Sequence, residues 1–185
     1  MLEDKILAAK SEDNSVSEVQ FDNVQFVKCR FVACDFTKTS FCNVTFENCD
    51  FSNCTFIGGY WKNAEIKDCK ADGSNFNQAV FKETQIVESS FQYANCVNTL
   101  WENCAIADSD FKEAFMSEVK LKKISLSKVN LTRVDFYKTP LKGIDLSDCT
   151  IEGIMVSDTY TELKGAKVNM IQAAVLAQIL GVKII

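Results

Sequence analysis

The stretch FDNVQFVKCRFVACDFTKTSFCNVTFENCDFSNCTF, Phe21 to Phe56, places a phenylalanine at every fifth residue. The period extends both ways: from Val16 to Val156 each fifth residue is apolar, through Trp61, Ile66, Ala71, Phe76, Phe81, Ile86, Phe91, Cys96 and Trp101 to Leu146 and Ile151. Thirteen of the fourteen phenylalanines lie on this series, so it carries the core. Two residues before each member stands a second, mostly small series that includes Cys29, Cys34, Thr39, Val44, Cys49, Cys54, Gly59, Ala64, Cys69, Ser74 and Ala79. A helix would scatter a five-residue stripe around its circumference, and a flat strand would send successive members to opposite faces. A solenoid buries both series. Four pentapeptides then form one square turn, and residues twenty apart stack about 4.8 Å apart, as in a β-ladder. The interior columns become Phe21, Phe41, Trp61, Phe81, Trp101, Leu121 and Leu141 on one side, and Phe26, Phe46, Ile66, Ile86, Ile106, Leu126 and Leu146 on the next. The fold class expected is all-β, with residues 16–160 as the repeat coil, 1–15 as an N-terminal segment and 161–185 as a C-terminal module.

Composition narrows the function. The 185 residues carry 25 acids against 20 bases, and a DNA-binding chain needs a basic footprint, so no direct nucleic-acid contact is expected. No continuous apolar run reaches the ~20 residues of a membrane span, and MLEDKILAAKSEDNS lacks the features of a signal peptide, so the expectation is a cytoplasmic protein that makes no membrane contact. Residues 1–15 read either as a short capping helix around Lys5–Lys10 or as disordered. Seven of the nine cysteines (29, 34, 49, 54, 69, 104 and 149) fall on the small inward series and Cys96 on the large one, where Cys acts as a small hydrophobe. With no histidine in the chain, a mixed Cys/His metal site and the Ser-His or Cys-His nucleophile pairs are excluded. No phosphate loop or dinucleotide fingerprint occurs. The chain reads as non-catalytic, with no cofactor and no metal.

The outward positions should carry function, and their charge is uneven. Residues 71–118 hold Asp72, Glu83, Glu88, Glu102, Asp108, Asp110, Glu113 and Glu118 against Lys82 and Lys112, whereas 119–142 reverses the sign. Part of this is structural: Lys128 lies twenty residues from both Asp108 and Asp148, Arg133 twenty from Glu113, and Lys138 twenty from Glu118 and Asp158. Exposed cross-strand pairs of this kind contribute about 0.2–1 kcal/mol each. On the side of the Phe26 to Leu146 column, Asp68, Glu88 and Asp108 form a like-charged column. The neighbouring side is basic, with Lys62, Lys82, Lys120, Lys122, Lys123 and Lys142. An acidic stripe on a stiff rod suggests a partial duplex substitute, because one acid per rung of ~4.8 Å is sparser than one phosphate per ~1.7 Å of duplex axis. The plainer reading is a solvated face that keeps the rod soluble. Val80, Val97, Leu100 and Phe115 are unexpected at outward positions and suggest, alternatively, a scaffold or adaptor surface for an unrelated partner.

The period stops after Val156. VNMIQAAVLAQILGVKII reads as an N-cap at Asn169, a helix near 170–180, a C-terminal Gly181 and a short strand through Val182 and Ile184. A helix apolar at Met170, Ile171, Ala174, Val175, Leu176, Ile179 and Leu180 covers more than one face. It predicts a homodimer joined C-terminus to C-terminus.

The small-x-large-x-x repeat resembles the pentapeptide-repeat family, whose motif is A(D/N)LXX and whose fold is a right-handed quadrilateral β-helix. Within it, EIKDCKADGSNF (Glu65 to Phe76) and LKGAKVNMIQAAVLAQILGVKII (Leu163 to Ile185) are similar to stretches of the Qnr-type quinolone-resistance proteins. The resemblance implies a dimeric rod that imitates B-DNA, binds DNA gyrase and topoisomerase IV and relieves quinolone poisoning. It would turn Glu65, Asp68, Asp72, Glu88 and Asp108 toward the basic DNA-binding saddle of gyrase. Many Qnr-type proteins carry loops projecting from the coil, and the unbroken phase from 16 to 156 leaves no room for one. The chain groups with the loopless members, for which binding is better supported than efficient drug protection.

Overall fold

A computed structural model describes residues 2–3, 6–8 and 16–185. It is a right-handed quadrilateral β-helix closed by one short helix. In chain order the strands are β1 (Leu2–Glu3), β2 (Ile6–Ala8), β3 (Gln20–Asp22), β4 (Gln25–Val27), β5 (Arg30–Val32), β6 (Ser40–Cys42), β7 (Thr45–Glu47), β8 (Tyr60–Lys62), β9 (Glu65–Lys67), β10 (Val80–Lys82), β11 (Gln85–Val87), β12 (Leu100–Glu102), β13 (Ala105–Ala107), β14 (Lys120–Lys122) and β15 (Ser125–Ser127). Pairing is parallel throughout. Phe21, Phe41, Trp61, Phe81, Trp101 and Leu121 fall in register on one side. Phe26, Phe46, Ile66, Ile86, Ile106 and Leu126 do so on the next. The other two sides are held by single bridges, such as Lys70 to Ser90 to Asp110 and Asn95 to Phe115 to Asp135.

The core follows from the repeat. Most rings twenty residues apart lie face to face, as Phe26 on Phe46 (4.7 Å, 8°) and Phe36 on Phe56 (5.0 Å, 5°), with Phe31 on Phe51 the edge-to-face exception (62°), while rings five apart meet tilted or edge to face around the corners, as Phe31 and Phe36 at 80°. Each such pair adds about 0.5–1.5 kcal/mol beyond its buried area. The small inward position does a second job. Its hydroxyl or thiol donates to a carbonyl of the preceding rung and accepts an amide from it: Ser74 Oγ donates to Phe51 O (2.6 Å) and accepts from Cys54 N (3.2 Å), and Cys69 Sγ donates to Phe46 O while accepting from Cys49 N. That explains why Cys, Ser and Thr interchange there. At the corners the chain adopts positive φ, at Asn43, Asn48, Asn53, Asn63, Asn98 and Asn103 among others, a region Asn tolerates best after Gly.

Three features depart from the sequence expectations. Ile6–Ala8 is a strand on β5 and Leu2–Glu3 a strand on β4, so the capping helix around Lys5–Lys10 does not form over Ile6–Ala8; Lys5, Ala9 and Lys10 lie outside the described residues. The first rung of a coil otherwise presents an open edge, and a strand satisfies its backbone groups where a helix could not. At the other end the ladder continues past residue 160 in a longer step: Leu141 N donates to Glu162 O, Leu146 N to Lys167 O, and Asp145 bridges Lys167. Helix α1 (Met170–Ile179) then covers the opening, and residues after Gly181 (φ +79°) are exposed without forming the expected strand at Val182 and Ile184. Having turned away from the coil at Gly181, they meet no sheet edge among the described residues. The N-cap at Asn169 forms as expected, with a reciprocal capping box to Gln172.

Candidate functional site

Strands β9, β11 and β13 lie in register, with Ile66, Ile86 and Ile106 inside and Glu65, Gln85 and Ala105 outside. The residue that turns the corner after each strand is Asp68, Glu88 or Asp108, at φ 52°, 50° and 48°. Each is fixed by its amide to the next rung: Asp68 N to Val87 O (3.2 Å), Glu88 N to Ala107 O (3.1 Å) and Asp108 N to Ser127 O (3.0 Å). The three carboxylates are thus stacked by the backbone, one per rung.

They line an open groove of about 590 Å³ that straddles the corner, with Lys70, Gln92, Asp110 and Lys128 on its other edges. Lys128 Nζ sits 3.6 Å from Asp108 Oδ1, the pairing their twenty-residue spacing predicts, so the bottom of the like-charged column is partly neutralised. The expected contact from Lys128 to Asp148 is replaced by Ser127 Oγ, which donates to Asp148 Oδ2 (3.0 Å). Arg133 with Glu113 (3.8 Å) and Lys138 with Glu118 (3.3 Å) pair as expected.

The five acids singled out in the sequence separate into three situations. Asp68, Glu88 and Asp108 share the groove. Glu65 is exposed on the same side, in a second shallow depression with Asn63, Glu83 and Gln85. Asp72 points from the adjacent side and is held in a structural role, accepting from Ser90 Oγ (2.5 Å) and Gln92 N (3.0 Å). Asp110 and Gln92 were missed. Asp110 accepts from Lys112 N (2.8 Å) and from Gln92 Nε2 (2.9 Å), which ties Asp72 and Asp110 into one network at the groove edge. Sorting outward residues side by side separates Asp110 from Asp108, although the pair meets across a corner. A rigid groove of carboxylates open to solvent can bind cationic side chains of a partner.

The C-terminal surface also divides. Gln172 is buried and its Nε2 donates to Leu146 O (2.7 Å) and Cys149 O (2.6 Å), so it stops the last open carbonyls of the coil. Leu176 and Ile179 pack on the core, and Ala174 and Val175 are half-buried. Met170 and Ile171 are 88% and 79% exposed, and Leu180, Val182 and Ile184 about half exposed.

Models of the pentapeptide repeat region and of pentapeptide repeats match residues 10–76 and 109–148. Among solved structures, two trypsin-treated variants of QnrB1, described as a plasmid-mediated fluoroquinolone resistance protein, share the fold. One is 21% identical with a TM-score of 0.56, over 92% of this chain and 90% of QnrB1; the other is 17% identical with a TM-score of 0.52, over 92% and 100%. No curated protein sequence matches the chain.

Proposed function

The chain belongs to the pentapeptide-repeat family, and we propose that it is a non-catalytic, DNA-imitating rod that binds DNA gyrase or topoisomerase IV and guards them against quinolones or related poisons. The observation that carries this is the groove: Asp68, Glu88 and Asp108 held at one carboxylate per rung, with Asp110 beside them, on the laddered backbone of the coil. A basic surface built for duplex phosphates meets there a fixed line of negative charge. In this reading two copies join through Met170, Ile171, Leu180, Val182 and Ile184, which doubles the length of the acidic line.

The test is a gyrase supercoiling reaction titrated with the protein, with and without a quinolone. Recovery of supercoiling in the drug arm supports protection, and inhibition in both arms supports binding by displacement of DNA. The triple substitution Asp68→Lys, Glu88→Lys, Asp108→Lys should abolish either effect with the coil intact by circular dichroism. A folded triple variant that acts like the parent would sink the acidic-groove mechanism.

The alternative, a scaffold for an unrelated protein, draws on another side of the coil, where Phe115, Tyr137 and Met155 are 43–49% exposed. Val80, Val97 and Leu100 are half-buried and offer less surface. Phe115→Ser with Met155→Ser should leave supercoiling effects untouched under the gyrase reading.

A further inference from the structure

Toward its C-terminal end the coil gathers lysines on one side. β14 carries Lys120 and Lys122 on either side of Leu121, and Lys123 turns the corner after it at φ 51°. The chain's own next rung closes on β14: Val119 N donates to Thr139 Oγ1 (2.9 Å), and Leu141 is buried against the narrow apolar cavity that Leu121 also lines. Lys142 therefore follows Lys122 one rung, or about 4.8 Å, along the axis. The rung after that runs beside Lys142, because Gly143 N donates to Gly165 O (2.8 Å) and a Cβ on Gly165 would lie 3.2 Å from Lys142 Cγ. Lys164 immediately precedes that glycine, and all five lysines are exposed. The carboxylates nearest to them are engaged elsewhere. Of the five, only Lys122 has an ion-pair partner among the described residues, Glu102 at 4.0 Å, and that carboxylate also serves Lys82 (3.5 Å). Glu118, two residues before β14, is taken by Lys138 (3.3 Å), Asp108 by Lys128 (3.6 Å), and Asp145 by the amide and hydroxyl of Ser147. Lys122, Lys142 and Lys164 thus stack as a like-charged column, whose self-repulsion a bound polyanion would relieve.

We propose that this basic end of the coil binds the phosphate backbone of duplex DNA. The expectation of no nucleic-acid contact follows from a net charge of −5, but phosphates respond to the charge in front of them. At 0.1 M salt the Debye length is about 10 Å, so acids on the far sides of the coil are largely screened from a ligand seated here. A phosphate backbone suits the patch better than a protein face does. Protein interfaces are depleted in lysine and anchored by aromatic and other apolar side chains, whereas this surface offers ammonium groups on flexible stems. A duplex also brings one charge per ~1.7 Å of axis, denser than the one carboxylate per rung that a laddered acidic surface supplies. The rod thereby shows negative charge to a protein at the groove and positive charge to DNA on another side.

The probe is a fluorescein-labelled DNA duplex of 20 base pairs added to the full chain in 50 mM salt and read by anisotropy. The slope of log K against log salt is roughly −0.9 per phosphate neutralised, so three contacts give about −2.7 and a loss of roughly fortyfold between 50 and 200 mM salt. Lys122→Glu with Lys142→Glu should weaken binding at least tenfold at 50 mM salt and flatten the slope to about −1, with the circular dichroism of the coil kept. Lys28→Glu with Lys38→Glu, the same change of net charge at the other end of the coil, should weaken it less than threefold. No gyrase is present, so the result is independent of what the acidic groove binds. Absence of binding at 50 mM salt would overturn the proposal. Equal losses from the two double reversals would overturn it too, by assigning the effect to net charge. Displacement of the duplex by poly-glutamate at an equal concentration of charge would overturn the choice of DNA and point to an acidic protein.

Discussion

At the scale of single residues, the inward small position shows how tightly side-chain chemistry is tied to the coil. Thr99 Oγ1 donates to Cys96 O (2.7 Å) and accepts from Trp101 Nε1 (2.9 Å). Forty residues earlier the same place holds Gly59, and Trp61 Nε1 has no partner among the described residues. Thr99→Val keeps the volume and removes the acceptor, so it should cost about 1–3 kcal/mol, the usual penalty for orphaning a buried donor, measurable by urea unfolding. The thiols illustrate the same dependence. Burial pushes the Cys54 and Cys96 thiols up to about 12, and all the cysteines but Cys42 are buried. The native protein should therefore give one fast-reacting thiol with a disulfide reagent, and Cys42→Ser should give none; several fast thiols would mean that the coil opens readily.

At the scale of elements, the last rung rests on a carboxylate. Glu162 is buried, yet its Oε1 accepts from Lys138 N (2.8 Å) and its Oε2 from Ser157 Oγ (2.8 Å). Burial disfavours its charge, but its own amide together with these donors outweighs that and holds the carboxyl below the usual 4.5. A depressed value means that the charged form stabilises the fold at neutral pH and that this contribution fades as pH falls through the folded value. Thermal melts from pH 7 to pH 3 should show Glu162→Gln losing less stability on acidification than the parent, whereas Glu162→Ala should cost about 1–3 kcal/mol at pH 7. Glu162 was not legible in the sequence because its partners lie five and twenty-four residues away in an irregular step. The cap on α1 was legible, because Asn169 and Gln172 satisfy each other within one turn. The same distinction separates the groove's two halves: Asp68, Glu88 and Asp108 follow from the twenty-residue stack, while Asp110 joins them only once the corner brings two sides together. The break in the backbone ladder below β14 also escaped, since a single Pro140 looks harmless in a five-residue count and matters only against the donor series it interrupts.

At the scale of the whole molecule, the period of five specifies one continuous core, so damage anywhere along it should be felt as a loss of global stability. Phe91, fully buried and stacked on Phe111 at 4.9 Å, should cost about 3–5 kcal/mol when replaced by Ala, and a negligible loss would mean the register is misplaced. The outer end of the molecule follows different logic. α1 spends Gln172, Leu176 and Ile179 on closing the coil, and leaves Met170, Ile171, Leu180, Val182 and Ile184 exposed. Several large apolar side chains exposed on one short helix and the tail after it offer a surface that a partner can cover. A second copy related by a two-fold axis is self-complementary at such a patch, and it aligns two coils end to end. Met170→Asp with Ile171→Asp should therefore convert a dimer to a monomer in sedimentation equilibrium, with the thermal midpoint of the coil little changed because neither side chain packs inside it. If gyrase recognition needs the doubled acidic line, the monomeric variant should also lose most of its effect on supercoiling with Asp68, Glu88 and Asp108 intact. A parent that sediments as a monomer, or a variant that still sediments as a dimer, would place the apolar patch in some other contact.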